Sequence, residues 1–263
     1  MERLEGKQVV VTGGAGFLGS HLVEMLVASG AVVKVVDNLQ NGSVENLREV
    51  IDDIVFVEAD LRNYKHHLAA LDGAEMVFSL AARVSNIEFN RFNNFRMCLD
   101  NMLLTDNFFR AVEETEVPEA LVMSTVCVYP HETGLPTTES EGGYRQPEDT
   151  NEGYGWAKLH VEHLARYAHE ELGTRIMVVR PANLWGPRDH AEPHQSHVIP
   201  ALIYRLLDGE NPLVLWGTGT QRRTFLHVKD AAEGLLRIVD GWDDGGPVNL
   251  AHDREVSITD LAA

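Results

Sequence analysis

The segment Thr12-Gly13-Gly14-Ala15-Gly16-Phe17-Leu18-Gly19 constrains this chain more than any other. It holds both G-x-x-G-x-x-G and G-x-G-x-x-G spacings. It follows the apolar run Gln8-Val9-Val10-Val11 and precedes a helical pattern over 17–29, in which Phe17, Leu18, Leu22, Met25 and Leu26 recur before the stop at Gly30. A strand that turns sharply into a helix needs glycine where backbone must approach backbone, and the helix start then offers unpaired N–H groups to a pyrophosphate. Asp37 stands at the tip of the next apolar run, 32–36. A carboxylate there can accept both adenosine ribose hydroxyls and repels a 2′-phosphate, so the pattern favours NAD over NADP. Cofactor contacts are expected at Gly13, Gly16, Phe17, Leu18, Gly19, Asp37 and Asn38. Asp60 and Leu61 are expected to border the adenine, and Leu80-Ala81-Ala82 to leave room for the cofactor's passage.

Further strand-like runs at 54–57, 76–78, 120–123 and 176–179 alternate with helical patterns at about 92–114 and 152–171. That alternation predicts an α/β fold, a doubly wound parallel sheet covered on both faces. The stretch 129–151, rich in Gly, Pro, Thr and Glu, reads as a long surface loop over the site. After Arg180-Pro181 the alternation stops, and a helix near 198–207, a strand near 214–216 and a helix near 230–239 read as a smaller, mixed lobe. The predicted division is a cofactor domain over 1–180 and a substrate lobe over 181–263, free to exchange segments with the first domain. Because 256–261 looks like the opening of another helix, the lobe is expected to be C-terminally incomplete.

Composition excludes several classes of partner. With 40 acidic and 22 basic side chains the formal net charge is −18, which repels nucleic acids and anionic membranes at range. The two cysteines, Cys98 and Cys127, make no disulfide framework, and no Cys/His spacing calls for a metal. The charged start Met1-Glu2-Arg3-Leu4-Glu5 lacks a signal-peptide plan and no apolar run spans a bilayer, so the expectation is a cytoplasmic protein.

Tyr154 and Lys158 lie four residues apart in a helical pattern, on one face, and both are expected to contact the cofactor, the lysine at the nicotinamide ribose. A phenol of pKa ~10 is a poor base at neutral pH, and a nearby ammonium and nicotinamide charge favour the phenolate. Thr125, at the end of the preceding strand, supplies a hydroxyl to orient a substrate.

Taken with the glycine turn, these residues resemble the extended short-chain dehydrogenase/reductases of the nucleotide-sugar epimerase and dehydratase group. Similar segments run through the whole chain: Val128-Tyr129 after Ser124-Thr125, Arg180-Pro181-Ala182-Asn183-Leu184-Trp185-Gly186-Pro187, and Arg223-Thr224-Phe225-Leu226-His227-Val228. The resemblance implies a Rossmann-type fold, bound NAD, a nucleotide-diphosphate sugar as substrate, and a homodimer paired through the helices at 92–114 and 152–171. It also implies roles: Thr125 binds the sugar oxygen to be oxidised, Tyr154 is the acid/base, and Lys158 is its partner.

The branch is narrowed by residues near the triad. Dehydratases of the group carry Asp-Glu where this chain has Val126-Cys127. GDP-fucose synthases and GDP-mannose 3,5-epimerases carry a thiol there, and the former resemble this chain around His197 in Ser196-His197-Val198-Ile199-Pro200. Ala81-Ala82-Arg83-Val84 and the Asn-rich stretch 86–101 also resemble that branch. A thiol and an imidazole suit proton removal and delivery beside a ketone, whereas an unused Cys127 would be a small core residue. Arg223 is the expected diphosphate ligand, with further substrate contacts at Arg83, Asn183, Arg188, Val198 and Trp216. The expected activity is a GDP-hexose 3,5-epimerase type reaction with transient oxidation at carbon 4, or epimerisation with net 4-keto reduction. The alternatives are a 4-epimerase or dehydratase of another nucleotide sugar, and a non-catalytic NAD-binding scaffold. GDP-fucose synthases use NADPH and carry a different glycine loop, so Asp37 sets this chain apart from them. Lys229, where the group usually has an acid, has no reading.

Overall fold

The computed structural model describes the chain except residues 1, 86, 135, 144, 190–195, 216 and 243–245, with backbone alone at 2, 87, 88, 91 and 150. Val9, Val10 and Val11 of strand β1 (Gln8–Thr12) are all buried, because both faces of the sheet are covered. β1 pairs in parallel with β2 (Val32–Asp37) and with β4 (Met76–Ser79). β3 (Ile54–Glu58) lies beyond β2, and β5 (Glu119–Met123), β6 (Arg175–Pro181) and β9 (Pro247–Leu250) lie beyond β4. The order is therefore β3-β2-β1-β4-β5-β6-β9, with every pairing parallel.

Helices α1 (Phe17–Ala28) and α7 (Val228–Gly241) cover one face, where Val9, Val11 and Val35 meet Leu22, Leu26, Leu235 and Val239. Helices α2 (Tyr64–Leu71), α4 (Asn94–Thr115) and α5 (Glu152–Leu172) cover the other, where Val10, Val36 and Val77 meet Phe108, Val112 and Val161. The strand order reverses between β1 and β4, so a crevice opens at the carboxyl ends of those strands. The glycine turn and Thr125 both lie at that edge.

Strands β7 (Asn183–Trp185), β8 (Arg222–His227) and β10 (Glu255–Ser257) form a second, three-stranded sheet in the order β10-β8-β7. α6 (Val198–Leu207) and α8 (Ile258–Ala262) belong to the same part of the chain. β9 and α7, although beyond residue 181, lie with the main sheet and its core.

Two elements depart from expectation. The helix expected at about 92–114 forms as α4, but an unexpected short helix, α3 (Ile87–Phe92), precedes it, separated at Asn93, whose Nδ2 donates to Phe89 O. The strand expected near 214–216 does not form at Val214 and Leu215, and Trp216 lies outside the described residues. The Val214 backbone is satisfied by side chains instead: its N–H donates to Glu210 Oε1 at 3.1 Å and its carbonyl accepts from Arg205 Nη2 at 2.5 Å. The mixed sheet is built by 183–185, 222–227 and 255–257, where polar and aromatic residues hide the alternation.

Candidate active site

The glycine turn is shaped by contacts that admit no side chain. Gly13 has φ +70, and a Cβ on it would lie 2.9 Å from Ala81 N. A Cβ on Gly19 would lie 2.2 Å from Gly13 O, so the first turn of α1 sits directly on the loop. The turn is tied to β2 by Gly13 N donating to Val36 O at 2.8 Å, and to β4 by Ala81 N donating to Thr12 Oγ1 at 3.2 Å. No side chain caps α1 at Gly16, which leaves the N–H groups of Phe17, Leu18 and Gly19 outside the helix ladder. These features fit a dinucleotide pyrophosphate.

Asp37 is buried and its carboxylate is partly committed. Oδ2 accepts from Ala15 N at 3.0 Å and Oδ1 from Leu39 N at 2.9 Å. Burial pushes its pKa up, against the pull of these N–H donors. Each oxygen keeps a lone pair for a ribose hydroxyl. Asn38 Oδ1 accepts from Gln40 N, and Leu61 is buried. Asp60 is clamped by Arg62, which holds its carboxyl below the usual range. Leu80 N donates to Thr12 O, which sets Leu80, Ala81 and Ala82 alongside the turn.

Thr125 follows β5 and begins a short 3₁₀ turn, its Oγ1 accepting from Cys127 N at 3.3 Å. Tyr154 and Lys158 stand on α5, and Lys158 reaches the end of β5. Lys158 is buried, its Nζ donates to Met123 O at 2.7 Å, and it lies 5.6 Å from the Tyr154 ring centre. Burial lowers the Lys158 pKa to about 8 and raises that of Tyr154, with the neighbouring Cys127 adding to the latter. Burial thus works against the charged form of each group. A cavity of about 20 Å³ behind Lys158, lined by His67, Asn101 and Thr105 among others, is the size of one water.

The loop over 129–151 is strapped down rather than free. Arg180, fully buried, forks onto Glu162 through Nε at 2.8 Å and Nη2 at 2.7 Å, and its Nη1 donates to Tyr129 Oη and to Glu139 O. Tyr129 Oη donates to Asn249 Oδ1 at 2.6 Å, Asn249 N donates to Glu139 Oε1, and Ser124 Oγ donates to Glu162. These residues escaped the sequence reading as site residues; the one signal was an arginine ending an otherwise apolar strand.

The thiol of Cys127 is half-buried, next to Thr125 and Tyr154. Burial pushes its pKa up and the Thr125 hydroxyl pulls it down, while Glu148 and Arg223 act on it with opposite sign. The structure thus brings Thr125, Cys127, Tyr154, Lys158 and Arg223 together and adds Glu148. His197 Nδ1 pairs with the Asp189 carboxylate at 3.0 Å, which raises its pKa. Arg83 forms an ion pair with buried Asp100 at 2.8 Å, and Arg188 with Glu24. Asn183 donates to Thr224 O, Val198 opens α6, Arg223 Nη1 donates to Arg222 O, and Trp216 lies outside the described residues.

A turn shaped for a pyrophosphate thus lies at the same sheet edge as Thr125, with Tyr154 and Lys158 on the helix beside it. The profile "NAD dependent epimerase/dehydratase family" matches residues 9–251. The chain belongs to this family. A family member of Streptomyces bikiniensis, a dTDP-4-dehydro-6-deoxy-D-allose reductase, is 30% identical over 99% of this chain and 81% of its own length. GDP-mannose 3,5-epimerase 1 of Oryza sativa subsp. japonica is 28% identical, over 98% and 68% of the two chains. The crystal structure of Thermotoga maritima UDP-glucose 4-epimerase with UDP-glucose superposes with a TM-score of 0.87 at 28% identity, covering 97% of this chain and 80% of that one. The family's cofactor is NAD. Among the described residues no helix is long and apolar enough to cross a membrane.

Proposed function

We propose that the chain is a nucleotide-sugar epimerase of the 3,5-epimerase type, with a GDP-hexose as substrate. The observation that carries this reading is the Cys127 thiol, set beside Thr125 and Tyr154 at the site. NAD, when bound, supplies reversible hydride transfer at sugar carbon 4. The Gly13–Gly19 turn and Asp37 would hold it. Thr125 orients the hydroxyl at carbon 4, and Tyr154 accepts its proton and later returns it. Lys158, charged below about pH 8, supplies the positive charge that favours the phenolate while that proton is held. Arg223 holds the diphosphate. Cys127 and His197 move protons at the carbons beside the ketone, and a relative bearing the name GDP-mannose 3,5-epimerase supports that part.

A specific observation favours a second reading. His197 is paired with Asp189 and has no described bond to Cys127. With a dTDP-4-dehydro-6-deoxy-D-allose reductase among the relatives, reduction of a ready-made 4-ketone is the alternative. Mutants separate the two. Cys127→Ser should stop deuterium uptake beside the ketone, by about 10²–10⁴-fold, and spare hydride transfer. Tyr154→Phe should do the reverse on a pre-formed ketone. Unchanged exchange in both Cys127→Ser and His197→Gln returns Cys127 to a packing role and leaves the reductase or a plain 4-epimerase.

We also propose a homodimer. Phe92 and Phe95 are 78% and 74% exposed, and Leu99, Leu103, Trp156 and Tyr167 are exposed on α4 and α5 near them. Such a face suits an isologous pairing. A monomer by light scattering at micromolar concentration would contradict it.

A further inference from the structure

The segment just before α5 carries a carboxylate to the thiol. A Cβ on Gly155 would lie 2.5 Å from Pro147 Cβ and 2.8 Å from Cys127 O. Glycine at 155 thus lets Pro147 and Cys127 close on one point of α5, a single residue after Tyr154. Glu148 follows Pro147. Its Oε1 accepts from Asn151 Nδ2 at 2.8 Å, and Asn151 Oδ1 accepts from Asn90 Nδ2 at 2.9 Å. Both asparagines are more than nine-tenths buried, and Asn90 also donates to Ser85 O. A buried amide chain beginning on α3 therefore ends on the Glu148 carboxylate, one residue after the proline that closes on Cys127. Buried amides spent on one side chain hold its direction as well as its place.

We propose that Glu148 is the positioning residue that keeps Cys127 as a thiol, making it the proton donor of the site, and that a diphosphate on Arg223 tightens this hold. The proposal rests on the reading of Cys127 given above. Among the described residues, the charged and titratable groups that act on the thiol are Glu148 from the loop, Arg223 from β8 and Tyr154 from α5. A carboxylate opposes formation of a second negative charge, and a guanidinium favours it. With Arg223 free the two offset each other. An anion held by Arg223 cancels its charge and leaves Glu148 to act alone. Delivery of the proton then breaks S–H and forms C–H at the enolate carbon, the enolate electron pair makes that bond while the ketone C=O re-forms, and the thiolate regains a proton from water.

The chain has only two cysteines, so a Cys98→Ala background leaves Cys127 as its single thiol. The pH midpoint of iodoacetamide alkylation reads its ionisation, because only the thiolate reacts. Glu148→Gln should lower the midpoint by about half to one unit, roughly a three- to tenfold faster reaction at a fixed pH below it. Glu148→Asp should keep the midpoint near that of the parent, Asn151→Ala should move it toward the glutamine variant, and Arg223→Gln should raise it. GDP added to the parent should raise it as well. A midpoint unmoved by Glu148→Gln, or moved equally by Glu148→Asp, overturns the proposal. No turnover is needed, so the outcome is independent of the deuterium assay: a midpoint that shifts while Cys127→Ser keeps exchange removes the donor role but leaves the charge relation intact.

Discussion

The two sides of the candidate site are held by different means. On the cofactor side, eight consecutive residues make the geometry, and the contacts that matter are backbone to backbone: Gly13 against Ala81 and Gly19 against Gly13. On the substrate side, the geometry comes from side chains far apart in sequence, with Arg180 joined to Glu162, Tyr129 and Glu139, and Asn249 to Tyr129 and Glu139. The turn is fixed by glycines that let backbone meet backbone, from its own residues and from Ala81. A strapped loop depends on every member of its network, and substitutions there can redirect the substrate while the cofactor site stays as it is.

Breaking one member of each side tests this contrast. The largest effect is expected at the reacting group between them: Tyr154→Phe should lower hydride transfer by about 10²–10⁴-fold with NAD affinity unchanged. Next, Arg180→Met should strand the largely covered Glu162 carboxylate and cost about 3–5 kcal/mol, read as a lower denaturant midpoint, because an ion pair withdrawn from water is dear to split. Gly19→Ala should cost about 1–3 kcal/mol through overpacking on Gly13 O, and its loss should show in NAD affinity rather than in the substrate side. If Arg180→Met weakened NAD binding as much as Gly19→Ala, the two sides would not be separable.

The smallest expected effect is in the pH profile. The competent ammonium of Lys158 is present below about pH 8 and is lost as the pH rises through that value. The rate should therefore fall on the alkaline side near pH 8. In Lys158→Arg, whatever activity is left should keep no such limb, because a guanidinium does not deprotonate in this range. An alkaline limb at the same pH in the arginine variant would assign it to another group.

The same contrast explains what the sequence made legible. The glycine turn, Asp37, Thr125, Tyr154 and Lys158 were readable because their chemistry is local: fixed spacings at strand ends and on one helix face. Glu148 and Arg180 were not, since nothing near either in sequence announces its partners. The Asn-rich stretch is the instructive case. It was noticed as a likeness to one branch, yet its residues turn out to be fasteners. Asn90 reaches Asn151, Asn94 Oδ1 accepts from Gly153 N, and Asn101 is bonded to the Arg83 backbone through both its Oδ1 and its Nδ2. Composition marked the place and only the tertiary contacts gave the reason. The missed second sheet has a related cause, for Arg222, Arg223 and His227 on β8 interrupt the apolar alternation by which a strand is recognised.

The central claim is that one site joins hydride chemistry at carbon 4 to proton chemistry at the carbons beside it. Proton NMR in deuterated water measures both at once, with GDP-mannose and its 4-keto-6-deoxy derivative each offered to the wild-type protein, with and without NADH or NADPH. The account predicts solvent deuterium at carbons 3 and 5 of the sugar, dependent on Cys127. Change at carbon 4 alone, with no deuterium at its neighbours from either substrate, would contradict it.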